Sequence, residues 1–273
     1  MSLRDKVSII TGSGRGIGKA IAKRFAENGS IVILTARSKN EIDETLNEIK
    51  KNGGQGIAIQ ADVSKHVDVK KLVTKVVENY SKIDILVNNA GIIKPIKPIH
   101  EVGVGEWEDN LRINLFGTFY CIHTILPYMI SGNYGKIINL SGGGAFKPMP
   151  NFSAYGASKA AIIRLTETIA SEVKNYNISV NAIAPGAIQT RITSDIVESG
   201  DMAGIEYSRA KEVLEKGGTD IGKVTELALF LASDESNGLN GKTISALWDD
   251  LNYIRKNILT IQKSDKYTMK RMI

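Results

Sequence analysis

Two residues four positions apart, Tyr155 and Lys159, have the types and spacing of a pair that exchanges protons. On a helix, positions i and i+4 lie on one face, so the ammonium of Lys159 stands beside the phenol of Tyr155. An unperturbed tyrosine has a pKa near ~10, and lowering it by roughly three units requires about 4 kcal/mol. Two charges ~4 Å apart interact by about that amount at an effective dielectric of ~20. The pair therefore predicts a phenol that exchanges protons near neutral pH, although this spacing is also common among surface pairs.

A glycine-rich turn near the N-terminus has the composition of a phosphate-binding loop. The segment Thr11-Gly-Ser-Gly-Arg-Gly-Ile-Gly18 follows an apolar run and opens a helical pattern. Glycines let backbone amides approach a pyrophosphate, and the N-terminus of the following helix faces the anion. The strict G-x-G-x-x-G spacing is absent, and a plain strand-to-helix connection is the alternative, but the strand-turn-helix context favours a dinucleotide cradle. The candidate cradle residues are Gly12, Ser13, Gly14, Arg15, Gly16, Ile17 and Gly18.

Residues at the end of the second strand pattern indicate which dinucleotide binds. A site that reads a free ribose 2′-hydroxyl is expected to carry Asp or Glu there, roughly 20 residues past the turn. This chain has Ala36-Arg37-Ser38 instead, and Arg15 lies inside the turn. Two guanidinium groups and a hydroxyl suit a 2′-phosphate. We therefore predict NADP (NADPH) rather than NAD as the cofactor, with two solvated surface arginines as the alternative interpretation.

The order of the elements must bring these segments together. Short, almost continuously apolar runs alternate with longer helical patterns, which is typical of strands covered on both faces. The intervening segments are long enough for crossover helices. The sequence therefore predicts an α/β fold, a doubly wound (Rossmann) parallel sheet of about seven strands with helices on both faces, in a single domain. The predicted strands are residues 7–10, 31–35, 57–61, 83–88, 136–141, 178–183 and 242–247.

The predicted domain has a long insertion and an extension. Residues 186–220 lack a clear strand and contain several glycines, so we expect a partly helical substrate loop beyond a strand end, where ligands sit in such sheets. Residues 1–250 are expected to form the Rossmann domain with this loop. Residues 251–273 are expected to form a C-terminal extension.

Composition excludes several classes of function. The net charge is +6, but the 35 basic residues are interspersed with 29 acidic ones, whereas a nucleic-acid surface is expected to be clustered. The single cysteine, Cys121, excludes an internal disulfide, offers no metal-ligand set and fits a reducing compartment. We found no apolar stretch approaching the ~18 residues of a membrane helix. The chain is therefore expected to be soluble and cytoplasmic, without nucleic-acid or membrane partners.

Taken in order, the motifs resemble those of the short-chain dehydrogenase/reductase family, in its single-domain form and with similarity to its 3-oxoacyl-ACP reductase-like members. The resemblance covers roughly residues 5–246. Its motifs are the turn at residues 11–18, Asp62-Val63, Asn88-Asn-Ala-Gly91, Asn114, Tyr155-x-x-x-Lys159 and Pro185-Gly-Ala-Ile-Gln-Thr190.

The resemblance implies roles for these residues. Tyr155 resembles the family's proton donor, Lys159 its charge partner and ribose ligand, and Asn114 the anchor of a water relay. Taken alone, Asp62 is more often a helix cap and Asn114 more often an ordinary polar helix residue, but the ordered set favours the functional interpretation. By the same resemblance, cofactor contacts are expected from Asp62 and Val63 at the adenine, Asn89, Ala90 and Gly91 along the trough, the Pro185-Gly186 turn, and Ile188 and Thr190 at the carboxamide.

One position departs from the family pattern. Most members have a serine thirteen residues before the tyrosine, where it holds the substrate carbonyl, and here that position is Gly142, inside Ser141-Gly-Gly-Gly144. Along a regular strand a shift of one residue turns Ser141 to the opposite face, but three glycines permit a conformation that re-aims it. We hypothesise that Ser141 contributes to catalysis. The alternative is that backbone amides of residues 142–144 hold the carbonyl oxygen.

Together these inferences predict an oxidoreductase that transfers a hydride between nicotinamide and a ketone or secondary alcohol. Tyr155 is the expected general acid/base, and reduction is the favoured direction. Two other classes stay open: a non-catalytic NADP-binding sensor or scaffold, and an NAD(P)-dependent epimerase or dehydratase. The expected partner is a small carbonyl or alcohol substrate in a mainly apolar pocket. The resemblance also implies a homo-oligomer, dimer or tetramer, through long helices near residues 107–131 and 153–176.

Overall fold

Seven strands form one parallel sheet within residues 1–270, the part of the chain that the computed structural model describes. They are β1 (Val7–Thr11), β2 (Ile31–Ala36), β3 (Gln55–Gln60), β4 (Ile85–Asn88), β5 (Gly135–Leu140), β6 (Ile178–Ala184) and β7 (Thr243–Ser245). Their order across the sheet is β3-β2-β1-β4-β5-β6-β7. The predicted doubly wound parallel sheet is confirmed, and the predicted strand bounds are correct to within three residues.

Helices cover both faces of the sheet. They are α1 (Gly16–Glu27), α2 (Lys39–Lys51), α3 (His66–Tyr80), α4 (Val104–Leu111), α5 (Gly117–Ser131), α6 (Ser153–Glu172), α7 (Arg191–Glu198), α8 (Ile205–Lys216), α9 (Ile221–Ala232), α10 (Leu251–Lys256) and α11 (Ile258–Gln262). One apolar cluster joins the sheet to α1, α2 and α9, and a second joins the other face to α3, α5 and α6.

The strand order places a crevice at the middle of the sheet. From β1 the chain winds outward through β2 and β3, and it then returns to pair β4 with β1 on the other side. Where the winding reverses, the connections after β1 and β4 leave the sheet in opposite directions. In open α/β sheets this point, at the carboxyl ends of the strands, is where ligands bind.

A continuous helical stretch, Val104–Ser131, combines α4, a π-helical segment (Arg112–Phe116) and α5. By length and composition alone it could cross a membrane, which corrects the sequence-based expectation that no segment comes near that threshold. Cys121, Ile122 and Ile125 are nevertheless buried against the sheet and α3. A core helix of a soluble fold passes the same test, so we interpret this stretch as a core helix.

The segment predicted as a substrate loop, residues 186–220, is largely helical. It contains α7, a short 3-10 turn (Gly200–Ala203) and α8. Ala203 is buried with Ile93, Phe152 and Tyr155, and Ile192, Ile196 and Tyr207 pack against the same cluster. This segment, called the lid below, therefore closes over Tyr155.

The C-terminal segment folds back onto the domain. Ile254 of α10 and Ile261 of α11 are buried in the core cluster on the α1 and α9 face. The carbonyl of Tyr267 accepts a hydrogen bond of 2.8 Å from the amide of Thr243, so the tail covers the edge of β7. The last three positions of the predicted extension, residues 271–273, lie outside the described residues.

Candidate functional site

The glycine-rich turn is shaped for close approach. Gly12 and Gly16 have φ values of +64° and +54°, which side chains rarely adopt. A Cβ on Gly12 would lie 2.9 Å from Nδ2 of Asn89, and one on Gly18 would lie 2.4 Å from the carbonyl oxygen of Gly12. These glycines therefore let the start of α1 pack directly against β1 and β4.

The N-terminus of α1 opens toward the cleft. Arg15 precedes the helix without capping it through its side chain. Within residues 1–270, the amides of Ile17 and Gly18 have no hydrogen-bond acceptor. Such unpaired amides, together with the helix dipole, attract an anion. The cradle thus suits the pyrophosphate of a dinucleotide, as its composition predicts.

A cleft of about 700 Å³ runs from this turn along the ends of β2, β3 and β4. Its volume lies within the range of small-molecule and cofactor sites. The predicted cofactor residues that line it are Gly12, Gly14, Arg15, Gly16, Ile17, Arg37, Ser38, Asp62, Val63, Asn89, Ala90, Gly91 and Thr190.

Other predicted cofactor residues support the cleft without lining it. Ser13 is fully buried, and its hydroxyl accepts a 2.9 Å bond from the amide of Thr35, which ties the turn to β2. Gly18 is covered by the turn itself. Pro185 and Ile188 are buried, and Gly186 has a φ of +80° that directs the chain out of β6 into the lid.

The adenosine end of the cleft carries the two predicted arginines. Arg37 is exposed and has no ion-pair partner in the described part of the chain. Nη1 of Arg15 donates a 2.9 Å hydrogen bond to Oε1 of Glu41, a residue that sequence reasoning missed. Ser38 caps α2, where its hydroxyl accepts from the amide of Glu41. The Ser-x-x-Glu spacing signals a helix start and was the one sequence clue that places Glu41 here.

Asp62 and Val63 follow β3 at the same edge. Oδ1 of Asp62 accepts hydrogen bonds from the amide and hydroxyl of Ser64 at 3.0 and 2.7 Å. Asp62 therefore stabilises a turn before α3, but it is not the residue that precedes that helix, which is Lys65. The turn presents the Asp62 side chain at the cleft, so the capping and binding interpretations are compatible.

The segment after β4 is bound to the glycine turn. The hydroxyl of Thr11 accepts hydrogen bonds from the amides of Asn89 and Ala90, both at 3.0 Å. Nδ2 of Asn89 donates to the carbonyls of Thr11 and Gly12 at 2.9 and 3.1 Å. These bonds hold the two walls of the cleft together, and Thr11 is a further residue that the sequence-based list lacks.

Asn114 lies in the π-helical segment and is fully buried. Its Oδ1 accepts from the amide of Ile92 at 2.8 Å, and its Nδ2 donates to the carbonyl of Ile92 at 2.9 Å. Nδ2 also lies 3.1 Å from the hydroxyl of Ser158 on α6. Single π turns inside α-helices are frequent at functional sites. Here the turn locks the chain after β4 between two helices.

Tyr155 and Lys159 lie on one face of α6, as predicted. Nζ of Lys159 is 5.7 Å from the centroid of the Tyr155 ring, and it donates a 2.9 Å hydrogen bond to the carbonyl of Leu140. A Cβ on Gly91 would lie 3.1 Å from Oδ1 of Asn114 and 3.6 Å from Nζ of Lys159. The structure therefore brings Tyr155, Lys159 and Asn114 together beside Gly91, which itself lines the cleft.

Burial controls ionisation in this cluster. Only 8% of the Tyr155 surface is exposed, and burial raises the pKa of its phenol to about 12. Burial also lowers the pKa of Lys159 to about 8. The sequence predicted a lowered phenol pKa, and that expectation is wrong, because burial penalises the charged form of each group.

Ser141 and Gly142 take different positions relative to Tyr155. The hydroxyl of Ser141 is buried and donates to the carbonyl of Lys159 at 3.4 Å. A Cβ on Gly142 would lie only 2.3 Å from the phenol oxygen of Tyr155. The structure thus orients Gly142 toward the phenol and Ser141 toward the backbone of α6. The amides of Gly143 and Gly144 have no acceptor among residues 1–270.

The first helix of the lid, α7, is held by ion pairs that sequence reasoning missed. Thr190 precedes α7, and a Cβ on Gly16 would contact its Cγ2 at 3.3 Å. Nζ of Lys94 lies 3.3 Å from carboxylate oxygens of both Asp195 and Glu198 on α7. The hydrogen bond with Asp195, with a contribution from Glu198, raises the pKa of Lys94. These pairs join the segment after β4 to the lid.

Comparison with known proteins gives consistent matches over most of the chain. The family model described as short chain dehydrogenase matches residues 6–217. A 3-oxoacyl-acyl-carrier-protein reductase of Staphylococcus epidermidis is 36% identical over 241 residues, which cover 88% of this chain and 96% of the relative. Glucose 1-dehydrogenase 2 of Bacillus subtilis is 34% identical over 247 residues, 89% of this chain and 93% of the relative. A solved structure of NAD+-bound xylitol dehydrogenase is similar with a TM-score of 0.83 and 30% identity, covering 90% of this chain and 98% of that one.

Proposed function

The chain belongs to the short-chain dehydrogenase/reductase family, whose members are oxidoreductases that transfer hydride, and from this premise we propose that it is an NADP-dependent reductase of ketones. The observation that carries the proposal is the cluster of Tyr155, Lys159 and Asn114 beside Gly91, which lines the same cleft as the open N-terminus of α1. A pyrophosphate cradle in the cleft, with a proton donor next to one of the residues that line it, suits hydride transfer to a carbonyl.

The residues of the cleft fit a nicotinamide dinucleotide. The unpaired amides at the start of α1 would bind the pyrophosphate. Arg15, Arg37 and Ser38 would hold a 2′-phosphate, Asp62 and Val63 the adenine, and Thr190 the carboxamide. When bound, the reduced cofactor supplies the hydride.

Tyr155 acts as the proton donor in this proposal. Because burial raises its pKa to about 12, the phenol is protonated at neutral pH, which is the form that a carbonyl oxygen requires during reduction. Nζ of Lys159 provides the positive charge that stabilises the phenolate left behind. Asn114 holds the backbone of Ile92 through two hydrogen bonds. In this proposal it also anchors the water relay that would return a proton to Tyr155.

We assign carbonyl binding to the glycine turn after β5. The free amides of Gly143 and Gly144 are backbone donors of the kind that stabilise an oxyanion. Ser141 contributes as a positioning residue, because its hydroxyl contacts the carbonyl of Lys159. Ile192 and Ile196 of the lid, together with Met149 before α6, offer a mainly apolar surface to the substrate.

The remaining parts of the proposal concern the whole chain. In this proposal residues 1–250 are the catalytic domain, residues 186–220 its substrate lid, and residues 251–273 a C-terminal extension whose described part contacts β7 through Tyr267. We propose a soluble, cytoplasmic homo-oligomer, dimer or tetramer, without nucleic-acid or membrane partners. The carbonyl or alcohol compound is its small-molecule substrate.

The test is the replacement Tyr155→Phe, assayed as NADPH oxidation with a panel of ketones. We expect kcat to fall by about 10²- to 10⁴-fold, the usual contribution of a general acid, while the Kd for NADPH changes by less than about twofold. Tyr176→Phe, which alters an exposed tyrosine beyond α6, is the matched control and should keep full activity. Equal turnover by the Tyr155→Phe variant would refute the proposed mechanism.

Two further outcomes separate the alternatives. Binding of NADPH without turnover of any carbonyl would favour a sensor or scaffold, and product formation without net NADPH consumption would favour an epimerase. A Ser141→Ala variant distinguishes the two roles of that residue. A positioning role predicts a loss of kcat below about threefold, whereas direct contact with the carbonyl predicts a loss near 10²-fold.

A further inference from the structure

An acidic side chain lies among the groups assigned to the 2′-phosphate. Oε1 of Glu41 accepts the 2.9 Å hydrogen bond from Nη1 of Arg15, and Glu41 lines the cleft together with Arg37 and Ser38. A Cβ on Gly14 would lie 2.6 Å from Cβ of Glu41 and 3.0 Å from its Oε2. The carboxylate is therefore held against the glycine turn, at the adenosine end of the cleft.

The fold does not depend on this ion pair. The Arg15 side chain is 62% exposed and that of Glu41 is 35% exposed, and exposed pairs contribute little to stability. The amide of Glu41 is bonded to Ser38, which caps α2 whatever side chain stands at position 41. A replacement of Glu41 by Gln therefore leaves the local structure in place. Because the Glu41 carboxylate lines the cleft without supporting the fold, we interpret it as a group that acts in ligand binding.

The negative charge of the Glu41 carboxylate affects the binding of the two dinucleotides differently. A 2′-phosphate bound by Arg15 and Arg37 would have to displace Glu41 from Arg15 or stand beside a like charge. A 2′-hydroxyl carries no charge and can donate a hydrogen bond to a carboxylate, as acidic residues accept it in NAD sites. Oε2 of Glu41, which makes no hydrogen bond within residues 1–270, is free to accept that bond.

We propose that Glu41 is a specificity-determining residue that weakens the preference for NADP and allows NAD to bind in the same cleft. The inference deepens the proposed function and depends on its assignment of the cleft. It predicts that the protein binds both dinucleotides. Arg15 would pair with the 2′-phosphate when NADP is bound and with the carboxylate of Glu41 when NAD is bound.

The experiment compares Glu41→Gln with Glu44→Gln in the full-length protein. Glu44 is an exposed acid on the same helix that does not line the cleft, so its replacement makes an equal change in net charge. Dissociation constants are measured for NADPH, NADH and 2′,5′-ADP by fluorescence and calorimetric titration at low and high salt. We expect Glu41→Gln to tighten NADPH and 2′,5′-ADP by about tenfold at low salt and to weaken NADH by about threefold. The effect on the two ligands that carry a 2′-phosphate, NADPH and 2′,5′-ADP, should become smaller at high salt.

Glu44→Gln should change each constant by less than about twofold, with unchanged melting temperatures for both variants as the check on folding. The inference is overturned if Glu41→Gln and Glu44→Gln change the dissociation constants of NADPH and NADH by the same factors. It is also overturned if Glu41→Gln leaves the ratio of the NADPH and NADH dissociation constants within about twofold of the parent's ratio. That result leaves the proposed oxidoreductase intact. Failure of the parent to bind either dinucleotide would overturn the proposed function and this inference together.

Discussion

At the scale of single residues, α6 explains why the pairing of Tyr155 with Lys159 could be predicted. A spacing of four residues gives a shared face on any regular helix, whatever surrounds it. The ionisation of the pair could not be predicted in the same way. It depends on burial, which for Tyr155 includes packing in one cluster with Ala203, a lid residue 48 positions further along the chain.

Ser141 and Glu41 show the same limit. The position of Ser141 relative to Tyr155 depends on the local conformation of three glycines, which short-range rules leave open. Glu41 meets Arg15 across a separation of 26 residues, and only the packing of α2 beside the glycine turn brings them together. The sequence predicted the arginines as ligands, but it did not predict the acid that pairs with one of them.

Burial of Lys159 predicts a dependence of stability on pH. Its pKa falls from an ordinary 10.5 to about 8 in the folded protein. Between those values the unfolded chain holds a proton that the folded chain has lost, so stability rises with pH across this window. Below pH ~8 the folded protein carries the full penalty of a buried charge, on the order of 3 kcal/mol. Lys159→Met should remove that penalty and the activity together, as expected where function costs stability.

The measurement is urea unfolding of the cofactor-free protein at pH 7 and pH 10. The Lys159→Met variant should be more stable than the parent by about 2 kcal/mol at pH 7, and the gap should nearly close by pH 10. Lys50→Met, at an exposed position of α2, is the control and should show no such change. A gap that is constant with pH would mean that packing, and not ionisation, accounts for the difference.

At the scale of elements, the central strands were predictable because their apolar runs are local and continuous. The edge strand β7 was predicted too, but the way its edge is covered was not, because the tail that bonds to it has no strand pattern of its own. The amide of Thr243 is bonded to Tyr267, and Lys242 donates to the carbonyls of Ser264 and Lys266 at 2.7 and 3.1 Å. The described part of the predicted extension, residues 251–270, is therefore structurally part of the domain.

Substitutions at two apolar residues of the tail, Ile254 and Leu259, test this conclusion. Ile254 of α10 is fully buried, whereas Leu259 of α11 is 74% exposed. Ile254→Ala should lower the free energy of unfolding by about 2–5 kcal/mol, the cost of a cavity in a core. Leu259→Ala should change it by less than about 0.5 kcal/mol. Thermal or urea unfolding provides both values, and similar small losses at the two positions would show that the tail is only loosely attached.

At the scale of the whole molecule, α5 carries two kinds of apolar surface. One face of α5 is buried against the sheet and α3, the other exposes Phe119 and Tyr128, and Phe116 of the preceding π-helical segment is exposed as well. The rings of Tyr120 and His66 stack at 4.9 Å, and those of Phe119 and His123 at 5.5 Å, which extends the exposed surface toward α3. Burial among the rings, with Lys70 and His123 adding to it, lowers the pKa of His66. The surface is therefore aromatic and, at neutral pH, carries little charge from His66.

A contiguous aromatic surface of this kind is typical of an interface between protein chains, and we expect the homo-oligomer to form through it. Phe119→Asp places a charge at the centre of that surface, so the buried interface would have to desolvate it. The variant should therefore have a lower mass than the parent by size-exclusion chromatography with light scattering, while its circular dichroism stays the same. Leu259→Asp, an equal change at an exposed leucine on α11, should keep the mass of the parent. A monomeric parent, or equal masses for the parent and Phe119→Asp, would contradict assembly through α5.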